Sequence, residues 1–78
     1  MAKQDGNELN EVKVHEVTAS RTLHGLENGL AYYNYEGNHF RVFDSFENGL
    51  KWLDVRDDLL VIADFEDENK LDDFLKNH

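Results

Sequence analysis

The arrangement of hydrophobic and polar residues over 11–44 is typical of β-strands, although the alternation breaks at Glu16. Three valines lie within 11–18, and β-branched residues at this density favour a strand. Asn28-Gly29 and Gly37-Asn38 follow as turn signals, because Asn and Gly accept the positive φ angles of tight hairpin turns. We therefore predict an antiparallel meander in which 11–18 is followed by strands over 21–27, 30–36 and 39–44.

The spacing of apolar residues becomes helical after residue 44. Asp44 or Ser45 can cap a helix over 45–54, because a side-chain oxygen accepts from the free N–H groups of the first turn. The apolar residues of this helix form one stripe: Phe46, Leu50 and Leu53. Gly49 lies on the same stripe and costs about 1 kcal/mol of helix propensity. We attribute it to a close approach between helix and sheet.

The end of the chain predicts one more strand and one more helix. The apolar run 59–64 suits a strand that is covered on both faces. Acids at 66–68 favour a helix start, and the apolar stripe that follows is Leu71, Phe74 and Leu75. The strand 39–44, the helix and the strand 59–64 could form a right-handed parallel unit.

The chain is therefore predicted to be an α+β protein. About four antiparallel strands are followed by helix, strand and helix, in two layers with both helices on one face of the sheet. Residues 11–78 form a single domain in this interpretation, because 78 residues can enclose only one thin core. Residues 1–10 contain little apolar surface, and we expect a dispensable N-terminal tail.

The meander suggests a docking surface. Two-residue turns would pair Leu26 with Ala31 and Tyr35 with Phe40, so that one face packs against the helices. The opposite face would present four large apolar groups and one arginine, a composition typical of an interface core: Leu23, Leu30, Tyr32, Arg41 and Phe43. Two alternatives stay open: this face binds a partner or a second copy, or the 11–18 strand or a helix covers it.

The acidic character narrows the choice of partner. Seventeen acids against eight Lys and Arg leave a net charge of −9, which argues against direct nucleic-acid binding and against an anionic membrane surface. Residues 44–78 hold eleven of the acids. Six of these could form an acidic docking surface: Asp64, Glu66, Asp67, Glu68, Asp72 and Asp73. In size and charge alone the chain is similar to small acidic inhibitors carried by phages. The alternative is that the charge serves solubility.

Catalytic and metal chemistry lack support in the sequence. Cysteine is absent, so thiolate metal sites, disulfides and cysteine nucleophiles are excluded. The histidines have no recognised ligand spacing, and the acids lack the pattern of a calcium loop. No apolar run approaches the ~20 residues that span a bilayer. We expect no enzyme activity, no cofactor, no small-molecule substrate, and a cytoplasmic location.

Two functions remain. The first is a non-enzymatic protein–protein interaction module. Its outer sheet face would bind a protein partner or a second copy of the chain, which would form a homodimer. The second is an acidic inhibitor or DNA mimic that blocks a basic nucleic-acid-binding protein. Salt separates them, because counter-charge docking weakens as ionic strength rises and an apolar interface hardly changes.

Overall fold

The computed structural model describes residues 10–35 and 38–77, and the predicted tail 1–10 lies outside them except for Asn10. The elements are β1 (Glu11–Thr18), β2 (Arg21–Leu26), β3 (Ala31–Tyr35), β4 (His39–Phe43), α1 (Phe46–Val55), a short 3-10 helix (Asp58–Leu60), β5 (Val61–Phe65) and α2 (Glu68–Asn77). The five strands form one sheet in the order β1-β2-β3-β4-β5, and every neighbouring pair is antiparallel. The predicted α+β class and the meander followed by helix, strand and helix are confirmed.

The hairpins turn over three residues and not over two. In the first, the N–H of Leu26 donates to the carbonyl of Leu30 over 2.8 Å, so residues 27–29 form the loop. Gly29 has φ +96°, which accounts for the glycine, and the Asn28 side chain accepts from the N–H of Leu30. In the second hairpin Tyr35 pairs with His39. A three-residue loop with a left-handed residue is a common hairpin connection.

The predicted parallel unit is wrong, because β5 is antiparallel to β4. Phe43 at the end of β4 pairs with Val61 at the start of β5, so the connection leaves and re-enters the sheet at the same end. The intervening helix α1 lies over three strands, β2, β3 and β4. The 3-10 helix then leads directly into β5.

The two helices cover opposite faces of the sheet, whereas the sequence prediction placed both on one face. Side chains alternate along each strand, so Val42 and Phe43 of β4 point to different sides. On one side α1 closes the α1 core: Leu23, Ala31, Tyr33, Phe43 and Trp52. On the other side α2 closes the α2 core: Leu26, Leu30, Phe40, Val42, Leu71 and Leu75. The sheet is therefore the middle of three layers.

Helix α1 begins and packs largely as its sequence predicts. Ser45 is the cap, and its hydroxyl accepts from the N–H of Asn48 over 3.0 Å. Gly49 lies directly over the sheet, since a Cβ there would be 2.8 Å from Cδ1 of Leu23. The close approach inferred at Gly49 is confirmed. Leu50 of the predicted stripe is instead 36% exposed, and Trp52 takes the buried position.

Helix α2 carries the stripe that was predicted for it. Leu71 and Leu75 are buried and Phe74 is half-buried against Phe65, with ring centroids 5.5 Å apart. Asp67 precedes the helix, and its carboxylate accepts from the N–H of Asn69 over 2.8 Å. The acids at the start of α2 therefore include a capping residue, in agreement with the preference of helix N-termini for negative charge.

Candidate functional site

Strand β1 is exposed along its whole length. It lies at one edge of the sheet and pairs with β2. All eight of its residues are exposed, whereas each of the other four strands contains half-buried or buried side chains. Its valines are among the exposed large hydrophobic residues: Val12 (59%), Val14 (53%) and Val17 (44%). An edge strand with apolar side chains is a template for pairing with another chain.

Two irregularities interrupt the pairing of β1 with β2. The register shifts between Glu11 and Lys13 and again between Glu16 and Thr18, so Val12 and Val17 lie at the irregular positions. Between them, Lys13 to Glu16 pair regularly with Gly25 to Thr22. Bulges bend and twist an edge strand, and natural proteins use them to restrict edge pairing. The regular centre around Val14 is therefore the part of β1 most suited to receive another strand.

Side-chain contacts hold β1 in place from both faces. The ammonium of Lys13 lies 3.4 Å from the Glu47 carboxylate of α1 and 5.5 Å from the ring centroid of Phe46. The pKa of Glu47 is lowered, first by a hydrogen bond from its own backbone and then by Lys13. On the other face the Glu11 carboxylate contacts the His24 ring. Because the Lys13–Glu47 pair is exposed, it orients the strand more than it stabilises it.

Charge is distributed unequally between the two edges of the sheet. Residues 10–26, which form β1 and β2, contain two acids and two basic residues. Residues 58–77, which include β5 and α2, contain seven acids and two lysines. The exposed β1 edge is therefore nearly neutral, whereas the acidic residues belong to the opposite edge strand β5, to the segments that flank it and to α2, which lies over one face of the sheet.

The predicted docking face does not exist as an open surface. The three-residue loops shift each hairpin by one residue, and a shift of one moves a side chain to the other face. Leu23 and Phe43 are therefore fully buried in the α1 core, and Leu30 is buried in the α2 core. Tyr32 is half-buried beside the α2 core, and Arg41 lies on the α1 side, over Trp52. The alternative that a helix covers the face is the one the structure shows.

The six acids of the predicted acidic surface divide between both sides of the sheet. Asp64 faces the α1 side, where it contacts Arg41 over 3.2 Å and His39 over 2.8 Å. Glu68 and Asp72 lie on the α2 side near Tyr32. Burial is the main cause that raises the pKa of Tyr32, and Glu11, Asp72 and Glu68 raise it further. Asp67 acts as the α2 cap, and Asp73 accepts from Asn77. Glu66 is exposed in the loop before α2. They form no single continuous surface.

The structure contains a cleft of about 170 Å³ that the sequence did not predict. It lies on the α1 side of the sheet and is lined by three arginines and three aromatic residues: Arg21, Tyr33, Tyr35, Arg41, Trp52 and Arg56. Correct hairpin registers would have revealed it, because Arg21 pairs with Tyr35 and Tyr33 pairs with Arg41. These four side chains therefore share one face of the sheet.

Trp52 is the centre of this cleft. The guanidinium of Arg56 lies 4.7 Å from its ring centroid and that of Arg41 lies 5.0 Å away. The indole N–H donates to the carboxylate of Asp58 over 3.1 Å, and Asp58 also lies 3.7 Å from Arg41. Cation–π contacts and the Asp58 hydrogen bond together fix the ring at the floor of the cleft.

Comparison with protein-family models, with curated proteins and with solved structures gives no significant match. Within 10–35 and 38–77, no three His, Asp or Glu side chains cluster in a way that could hold a metal ion. Across the same residues, neither α1 nor α2 has the length and apolar character of a membrane-crossing helix.

Proposed function

We propose that the chain is a non-enzymatic protein-interaction module that binds a second copy of itself through the β1 edge. The observation that carries this proposal is an eight-residue edge strand in which every residue is exposed. Its outer N–H and C=O groups can pair with an added strand, and the added main-chain hydrogen bonds supply affinity. Two β1 strands in antiparallel pairing would join the sheets around a two-fold axis.

The charge distribution favours a second copy as the occupant. Two molecules of net charge −9 repel each other, and the repulsion is weakest where the neutral edges meet. Asp64 of β5 is then held at the far edge of each subunit, and the acidic residues of α2 lie over one face of the sheet and outside the β1 pairing. Antiparallel pairing centred on Val14 also places the two Val14 side chains side by side, which removes apolar surface from water.

Sedimentation velocity over a range of protein concentrations tests this proposal. We expect the native chain to show a concentration-dependent monomer–dimer equilibrium. Val14→Lys should shift the protein to monomer, because a lysine on an edge strand opposes pairing. Val55→Lys is the matched control: Val55 is also 53% exposed, lies at the end of α1, and its replacement adds the same charge. That variant should dimerise like the native chain.

Salt distinguishes this function from the acidic inhibitor or DNA mimic. Screening strengthens as the Debye length falls from about 30 Å at 0.01 M to about 3 Å at 1 M. Edge pairing between two anionic molecules should be unchanged or stronger in high salt. A chain that stays monomeric at all concentrations, but binds a basic protein that high salt releases, would refute edge dimerisation and support the inhibitor.

A further inference from the structure

We propose that the arginine cleft binds a phosphate monoester that carries a flat ring. This site is independent of the β1 edge and goes beyond the interaction module. It also departs from the expectation that the chain takes no small-molecule ligand. The sequence holds three arginines, and all three line this one cleft in a chain of net charge −9.

The chemistry of arginine points to an oxyanion. A guanidinium presents its N–H donors in a planar fork that matches two oxygens of a phosphate, and it stays charged at all relevant pH values. Among the residues that the structure describes, no carboxylate lines the cleft. Asp58 and Asp64 contact Arg41 from outside the lining, hold it in place and offset part of its charge. Three guanidinium groups around one opening present several N–H forks, which suit the three oxygens of a phosphate better than the two of a carboxylate.

The aromatic wall points to a ring on the ligand. Tyr33 and Tyr35 are stacked with centroids 5.4 Å apart and an interplanar angle of 22°. Tyr35 stacks in turn on His39, with centroids 4.6 Å apart and an angle of 16°. Tyr33 and Trp52 are almost fully buried, so the half-buried Tyr35 is the aromatic side chain whose edge a flat group on the ligand can contact. The volume of about 170 Å³ is below the roughly 300 Å³ at which pockets for larger ligands begin, so one phosphate and one ring are the fitting size.

Arg56 is held at the rim of the cleft by an unfavourable backbone conformation. It follows α1 with φ 56° and ψ 39°, the left-handed region, and its N–H donates to the carbonyl of Trp52 over 2.7 Å. Glycine is the usual residue at such a helix end, and a side chain there is strained. This backbone conformation places the Arg56 guanidinium over Trp52. The positive charge of the guanidinium offsets the negative end of the α1 dipole, which would otherwise repel an anion.

Trp52 supplies a direct readout, because it is the only tryptophan in the sequence. Phenyl phosphate, inorganic phosphate and benzoate are each titrated at constant ionic strength while indole fluorescence and the Trp52 indole N–H resonance are followed. We expect saturable binding, with the highest affinity for phenyl phosphate, a lower affinity for inorganic phosphate and the lowest for benzoate. Benzoate binding as tight as phenyl phosphate would overturn the phosphate assignment, and no saturation with any of the three would overturn the site.

A second titration distinguishes a phosphorylated protein side chain from a free aromatic phosphate as the natural ligand. A short peptide with one phosphotyrosine is titrated beside phenyl phosphate. Tighter binding of the peptide identifies a phosphorylated protein side chain as the source, and equal or weaker binding identifies a free aromatic phosphate. Both results support the site, whereas binding of the peptide and of its unphosphorylated form with equal affinity would overturn it.

Two variants separate local recognition from net charge. Arg56→Gln should weaken phenyl phosphate binding by about tenfold, as expected for the loss of a charge-assisted contact. Lys51→Gln removes the same charge from an exposed position of α1 outside the cleft lining and should leave the affinity unchanged. Arg21→Gln provides a second test at the other side of the cleft. Equal weakening by Lys51→Gln and Arg56→Gln would refute a specific site.

Discussion

Gly49→Ala should destabilise the protein even though alanine is the better helix former. In an open helix this exchange stabilises by about 1 kcal/mol. Here the new Cβ would lie 2.8 and 3.0 Å from the two Cδ atoms of Leu23 and 3.3 Å from Cδ2 of Phe43. Leu23 and Phe43 are fully buried, so their side chains have little room to move. Overpacking of this kind costs about 1–3 kcal/mol.

The steric cost therefore cancels or exceeds the gain in helix propensity, and we expect a net loss of about 1 kcal/mol. Urea unfolding followed by the fluorescence of Trp52, which is buried in the α1 core, gives the free energy of unfolding. The matched comparison is Leu23→Val alone and together with Gly49→Ala. Valine lacks Cδ atoms, so the double variant should be more stable than the sum of the two single changes by about 1–2 kcal/mol.

The result that would refute this reasoning is an increase in the urea midpoint for Gly49→Ala alone. It would mean that α1 lies further from β2 than the structure places it, and that Gly49 is an ordinary helix defect. Additivity of Leu23→Val and Gly49→Ala would be equally damaging, because the two positions would then not be in contact.

Two other substitutions test the buried faces of the sheet. Phe43→Asp should unfold the protein, because a charge in the α1 core costs several kcal/mol of a total stability of about 4–12 kcal/mol. Unfolding would be measured as loss of the far-ultraviolet helical signal. Leu59→Asp, at a position 91% exposed, should leave the fold intact, and a folded Phe43→Asp variant would show that the face is open. The pKa of Tyr32 is raised above 10.0, mainly by burial and further by Glu11, Asp72 and Glu68. The unfolded chain therefore loses the Tyr32 proton at a lower pH than the folded protein does. As a result, the free energy of unfolding should fall as the pH rises past 10. Tyr32→Phe should reduce that fall, and an unchanged alkaline profile in the variant would contradict the assignment.

Local patterns were sufficient to predict the elements of this fold. The valines of 11–18, the turn at Asn28-Gly29 and the cap at Ser45 each depend on residues close together in sequence, and each corresponds to an observed element. The prediction at Gly49 also succeeded, because a glycine in the middle of a helical stripe signals a close neighbour. The side of the sheet on which each helix packs depends on contacts distant in sequence, and no local pattern encodes it.

Register decided what could be predicted of the candidate sites. Asn28-Gly29 indicates a turn equally well in a two-residue or a three-residue loop, and the two loops place opposite sets of side chains on each face. With the shorter loops, Arg41 was paired with Asn34 and the arginine cleft could not be recognised. The observed pairs Arg21–Tyr35 and Tyr33–Arg41 create it. The exposure of β1 depends on where the helices lie and was likewise beyond local reasoning.

The opposite placement of the two helices has a consequence for the order in which the fold is completed. Each strand pairs with the next one in the chain, so the meander can assemble hairpin by hairpin. Trp52 closes the α1 core, whereas the α2 core is covered only when Leu71 and Leu75 pack on it. A folding intermediate in which α1 has packed and α2 has not would have one face of the sheet shielded and the other bare. Leu26, Phe40 and Val42 would then be exposed to water.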